Sequence, residues 1–96
     1  MLSHIVERYL ADSRDLVASI ERAIEQGDAA ELARTAHAWR SYNGNVGAHG
    51  LANLCRELEE RARSGNVAAT RELLGELRAL YTRVREELQF EIRRAG

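Results

Sequence analysis

His37, Arg40, Ser41 and Gly44 are the residues of this 96-residue chain whose types and spacing suit chemistry. At about 100° per residue, positions i, i+3, i+4 and i+7 fall on one ridge of a helix. A solvent-facing imidazole titrates at about 6.5, so a neutral, nucleophilic nitrogen is available at physiological pH. Arg40, one turn on, is spaced to donate hydrogen bonds to an anion placed on that nitrogen. Ser41 and Gly44 are small, which leaves the flank of the ring open to a large partner. Gly44 lowers helix propensity by about 1 kcal/mol relative to alanine, a cost most readily tolerated where bulk must be avoided. The ridge reads as an acceptor for a phosphoryl group. The sequence holds no GxxxxGK[ST] loop, no kinase glycine-rich loop and no acidic metal cage. The metal and the electrostatic clamp of phosphoryl transfer must then come from a partner.

Helices have to position that ridge. The chain has no proline, and alanine, leucine, arginine and glutamate dominate it, all good helix formers. Nothing reads as a strand, so the fold class is all-α. Leu2, Ile5, Val6, Tyr9, Leu10, Leu16, Val17, Ile20 and Ile24 form one apolar stripe with a weak seam at Ala11–Asp15. Asp12 or Ser13 is placed to cap a second helix there, which predicts a short N-terminal helix kinked against a longer one. A single bent helix is the alternative. Gly27 suits a helix C-terminus, and Asp28 followed by Glu31 resembles a capping box. The helix carrying His37 then turns Leu32, Ala36, Trp39, Asn43 and Val46 inward and ends near Gly47, with Trp39 as core filler.

After it, Leu51, Leu54, Leu58 and Ala62 mark the inward stripe of another helix, with Glu57–Arg61 and Glu59–Arg63 spaced for outward ion pairs. Ser64–Asn66 is a turn. The last helix, expected to be the longest, shows an apolar face of Leu73, Leu74, Leu77, Leu80, Tyr81, Val84 and Leu88. Short connections make sequential helices antiparallel, giving an up-and-down four-helix bundle with a short additional N-terminal helix.

Composition narrows the function. The length suits one domain over residues 1–96, near the size at which a single core becomes adequate. The formal net charge is −1 with both signs interspersed, which argues against a nucleic-acid surface. No apolar run approaches the roughly 20 residues of a membrane span. "MLSHIVERYL" lacks the apolar stretch of a secretory signal, so a cytoplasmic address is expected. Every basic residue is arginine. Cys55 is the one cysteine, so no internal disulfide forms, and it is read as a small packing residue. A zinc site from His37, His49 and Cys55 matches no common ligand spacing. His4 and His49 read as surface or helix-end residues. Arg83, Arg85, Arg93 and Arg94, alternating with glutamates, read as a solvated face.

The stretch "AHAWRSYNGNVGA" (36–48) resembles "AHxLKGSxxxxGA", and "LANLCRELEERAR" (51–63) resembles "LAxLCxxLExxAR". Both patterns are those of histidine-containing phosphotransfer (HPt) domains, and the resemblance covers nearly the whole chain. It implies a monomeric four-helix bundle that relays phosphate between receiver-domain aspartates as a carrier rather than an enzyme. His37 corresponds to the phosphorylated histidine, attacking through the outward nitrogen, Nε2. Arg40 stands at the family's usual lysine, where it helps neutralise the phosphoryl group. Ser41 replaces a glycine, and Tyr42 and Asn43 replace small residues. Tyr42 is expected to pack against a neighbouring helix. Ala30, Ala33 and Arg34 fall on the expected docking surface. The implied partners are receiver domains of response regulators or a hybrid sensor kinase. The chain itself is expected to hold no cofactor or metal, with Mg²⁺ in the receiver. The competing reading is a helical module that binds a receiver or kinase without relaying phosphate.

Overall fold

The computed structural model describes residues 2–95. Four α-helices carry the fold: α1 (Leu2–Gln26), α2 (Ala29–Asn45), α3 (His49–Arg63) and α4 (Leu74–Ala95). A 3₁₀ segment, Ala68–Leu73, leads into α4, and no strand occurs among the described residues. The first three helices end alike. Gly27, Gly47 and Gly65 adopt φ of 70°, 77° and 82°, the left-handed region that glycine enters without penalty. At each of them two backbone bonds close a Schellman cap. After α2, for example, Ala48 N–H donates to the Asn43 carbonyl (2.8 Å) and Gly47 N–H to that of Gly44 (3.2 Å). The chain reverses within two or three residues after α1 and after α2.

Hydrogen bonds fix the directions. Tyr9 pairs with Asn43 and Ser13 with Trp39, so α1 and α2 run antiparallel. Asn43 reaches Cys55 and His37 reaches Glu59, which sets α3 antiparallel to α2. Trp39 fills the core, fully buried, its ring edge-on to Tyr81 at 5.5 Å between centroids. Around it pack Ile20, Ile24, Leu32, Leu51, Leu58 and Leu77.

The expected short N-terminal helix is not present. α1 is one 25-residue helix that runs unbroken through Ala11–Asp15. The apparent seam has a packing explanation. Ser13 is completely buried, and its hydroxyl accepts a 2.8 Å hydrogen bond from the Trp39 indole N–H. Asp12 accepts from Arg8 (2.9 Å) and from the Tyr42 hydroxyl (2.8 Å). Both side chains therefore serve partners rather than capping a new N-terminus. Ser13 continues the inward stripe Val6, Tyr9, Val17, Ile20 as its one polar member. α1, not the 22-residue α4, is the longest helix, because it continues unbroken through the expected seam.

Asp28 does cap α2, accepting from Glu31 N–H at 3.1 Å. The reciprocal half of the box is missing, because Glu31 instead receives a fork of two bonds from Arg34 (2.9 and 2.7 Å). Among the described residues no helix is long and apolar enough to cross a membrane.

Candidate functional site

α2 buries Leu32, Thr35, Ala36, Trp39 and Asn43, and that choice of inner face decides what points outward. Ala30, Arg34, His37, Arg40, Ser41 and Gly44 are all exposed along the opposite side. Ala33 is buried at the edge of the row. His37 keeps 64% of its side chain accessible, so a large partner can approach the ring. Tyr42 leaves the row and packs against α1, as expected, through its bond to Asp12.

Across the α2–α3 contact stands a residue that the sequence reading put on the outer face. Glu59 is buried, with 10% of its side chain accessible, and both carboxylate oxygens lie against His37 Nδ1, at 3.2 and 3.1 Å. Arg63 donates two bonds to Glu59 Oε2, from Nε at 3.0 Å and Nη2 at 2.7 Å. Arg40 Nη1 stands 3.8 Å from Oε1. The expected Glu59–Arg63 ion pair thus forms, but with its acidic partner turned inward to α2. Glu57–Arg61 does lie outside, at 2.8 Å. Antiparallel packing explains the placement of Glu59. It follows Leu58 and precedes Ala62, both fully or almost fully buried, and so borders the inner stripe on the side facing His37.

Electrostatics at Glu59 bear on which ring nitrogen of His37 carries the proton. Burial, the largest influence, pushes its carboxyl pKa up. The bonds from Arg63 and His37, with their positive charge, together outweigh that and hold it below the usual carboxylate value. Glu59 is therefore ionised at neutral pH and can only accept hydrogen bonds. The proton between it and His37 must sit on Nδ1, which leaves Nε2 of the neutral ring with a free lone pair. One buried carboxylate selects the tautomer and aims the nucleophilic atom away from the bundle. The imidazole is then equipped to attack an electrophile from solvent, and the carboxylate to stabilise the positive charge the ring gains on attack.

Beside His37 toward the start of α2 lies a groove of about 530 Å³. Ala29, Ala30, Ala33 and Ala62 form its floor, and Arg34 and Arg63 flank it. The residues expected to dock a partner, Ala30, Ala33 and Arg34, are thus brought together next to the ring. Among the described residues no three His, Cys, Asp or Glu side chains converge as metal ligands. Cys55 is buried, and burial chiefly pushes its thiol up to about 12, so it stays protonated.

Glu59 and Arg63 are the site residues that the sequence reading missed. Both belong to the stretch "LEERAR", read there as surface ion-pair spacing, and the signal that could have found them was register. A three-residue turn after α2 brings a residue about 22 positions after His37 back to its level.

The family model described as "Hpt domain" matches residues 4–87. Among solved structures, the chain is similar to histidine-containing phosphotransfer protein B (HptB) from Pseudomonas aeruginosa PAO1. The two share 32% identity over 96% of this chain and 80% of that one, with a TM-score of 0.91. No curated protein sequence matches.

Proposed function

The chain belongs to the Hpt domain family, the histidine phosphotransfer modules of phosphorelays, and on that premise we propose that His37 accepts a phosphoryl group from a receiver-domain aspartate and passes it to another receiver. What carries the reading is the pairing of an accessible imidazole with a buried carboxylate on its Nδ1. In the forward step the Nε2 lone pair attacks phosphorus in line, and the bond from phosphorus to the aspartate oxygen breaks. That electron pair stays on the departing carboxylate. Nδ1 keeps its proton throughout, so the phosphorylated ring carries a positive charge that faces Glu59. The reverse step returns the phosphoryl group to a second aspartate with no net proton uptake. Mg²⁺ and most of the catalytic machinery belong to the receiver.

Arg40 is the group placed to neutralise the phosphoryl oxygens. Its loose 3.8 Å approach to Glu59 leaves it free to swing toward them. Arg63 is held more firmly and keeps Glu59 ionised. Ser41 and Gly44 keep the far side of the ring open, while Ala30, Ala33 and Arg34 take part of the receiver's surface. The exposed arginines around His37 complement the acidic pocket in which a receiver carries its phospho-aspartate. The test is transfer from phosphorylated receivers to the wild type and to His37→Gln. Acid-labile, alkali-stable label on the wild type alone supports the relay. Receiver binding that survives His37→Gln, with no label on either protein, supports the docking-module reading instead.

A further inference from the structure

The C-terminal half of α4 carries a pattern that phosphotransfer at His37 does not use. Phe90 is 53% exposed, whereas Tyr81, Val84, Leu88 and Ile92 are buried or half-buried. At about 100° per residue those four lie on the far side of the helix from Phe90. Phe90 is therefore not the edge of the apolar stripe but the centre of the outer face. Glu86 and Glu87 stand one turn before it and Arg93 and Arg94 one turn after, each within about 60° of it round the helix. All four are exposed, and among the described residues none of them makes an ion pair. The glutamates lie about 10 Å along the axis from the arginines, so the two sets cannot meet within one helix. Arginines in a last turn suit the helix dipole, but the dipole accounts neither for the phenylalanine nor for the glutamates before it. A lone exposed apolar side chain is ordinary. One framed by opposite charges at its two ends has the anatomy of an interface, an aromatic centre within a polar rim.

We propose that this face of α4 binds a second copy of the chain, antiparallel, across a two-fold axis at Phe90. The charge pattern names the occupant. An antiparallel pair sets Phe90 against Phe90 and brings Glu86 and Glu87 of each copy level with Arg93 and Arg94 of the other, at both ends of the seam. A parallel pair sets glutamates on glutamates and arginines on arginines, so the pattern selects the orientation as well. The inference stands apart from the relay reading and departs from the monomer that the family resemblance implies. α4 packs on α1 and α3, with α2 diagonally across the bundle, so pairing through α4 leaves both His37 ridges open. From Glu86 to Arg94 the rim is about 12 Å long on a helix about 10 Å wide. That is far below the about 800 Å² per partner of a standard interface. The dimer is therefore weak, with a dissociation constant of roughly 100 µM.

The experiment is sedimentation equilibrium of the full chain from about 10 µM to about 1 mM, with helicity measured to confirm folding. It compares wild type, Phe90→Ser, a double variant Glu86→Arg with Glu87→Arg, and a double variant Arg93→Glu with Arg94→Glu. The wild-type mass should rise toward that of a dimer with concentration. Phe90→Ser should weaken association by about ten-fold or more, and each charge-reversed variant should stay monomeric alone. Mixed one to one, the two reversed variants should associate again, because each offers the charges that the other has lost. A wild type that stays monomeric throughout overturns the proposal. A dimer that Phe90→Ser leaves intact rests on another surface and overturns it too. Folded reversed variants that do not associate when mixed overturn the antiparallel pairing. A monomeric wild type whose transfer from a receiver is slowed by Phe90→Ser assigns the face to the receiver and overturns the second copy.

Discussion

Replacing Glu59 separates charge from orientation at His37. Glu59→Gln keeps an oxygen able to accept the Nδ1 proton but removes the negative charge, and Glu59→Ala removes both. With the carboxylate oxygens 3.1 and 3.2 Å from Nδ1, the charge lies about 4 Å from the centre of the ring's positive charge. Two unit charges at about 4 Å attract by about 1 kcal/mol in water and about 4 kcal/mol at an effective dielectric of 20. The ring is 64% exposed, which favours the lower end. A loss of about 1–2 kcal/mol follows for the charge alone, or roughly five- to thirty-fold in rate. Glu59→Ala also leaves the ring free to turn and to exchange tautomers, adding about another 1 kcal/mol for the lost hydrogen bond.

The assay is single-turnover transfer from a saturating phosphorylated receiver, quenched on the millisecond scale, with helicity measured to confirm folding. The order should be wild type, then glutamine, then alanine. The equilibrium should shift toward phospho-aspartate in the same order, because the charged phosphorylated ring loses its counterion. Wild-type rates and equilibria in Glu59→Gln would refute the electrostatic role. Wild-type behaviour in Glu59→Ala would refute the positioning role as well.

Arg40→Ala should slow transfer about ten-fold, equivalent to about 1.4 kcal/mol, and Arg40→Lys should restore most of it, both read in the same quench assay. Glu59 also predicts a pH dependence of stability. Its folded pKa lies below its ordinary value, so its contribution is fully present above the unfolded carboxylate range and fades as pH falls through the folded pKa. Urea unfolding at neutral and at strongly acidic pH should therefore show a smaller acid-induced loss in Glu59→Gln than in wild type. In the core, Tyr9→Phe strands the buried Asn43 oxygen that the hydroxyl reaches at 2.5 Å, and Ser13→Ala strands the Trp39 indole N–H. Each should cost about 1–3 kcal/mol in urea unfolding, and the wild-type midpoint in either variant would contradict the polar pairing described.

The outline of the fold was legible because leucine, isoleucine and valine repeat at helical spacing and three glycines mark the turns. Trp39 as core, Asn43 as an inward residue and the cap at Asp28 all follow from that pattern. Ser13 was illegible for a definite reason. A serine on the inner face looks like an N-cap until its partner is known, and the partner is an indole 26 residues away. Glu59 misled in the same manner, since its i+4 arginine suggests a surface pair and both residues do bond. What the spacing omits is the neighbouring helix, whose histidine draws the carboxylate inward. The openness of the ridge at His37, Ser41 and Gly44 was readable from one helix alone. Local pattern reports faces, whereas long-range polar pairs depend on register between helices.

The most direct test of the account is the position of the phosphoryl group on the imidazole. Protein carrying ¹⁵N-labelled histidine, phosphorylated by a receiver and followed by nitrogen–phosphorus NMR, distinguishes the two ring nitrogens at each of the three histidines. The account predicts one phosphorylated histidine, His37, with phosphorus on Nε2 and a proton retained on Nδ1. Phosphorus on Nδ1, or on His4 or His49 in place of His37, would contradict it.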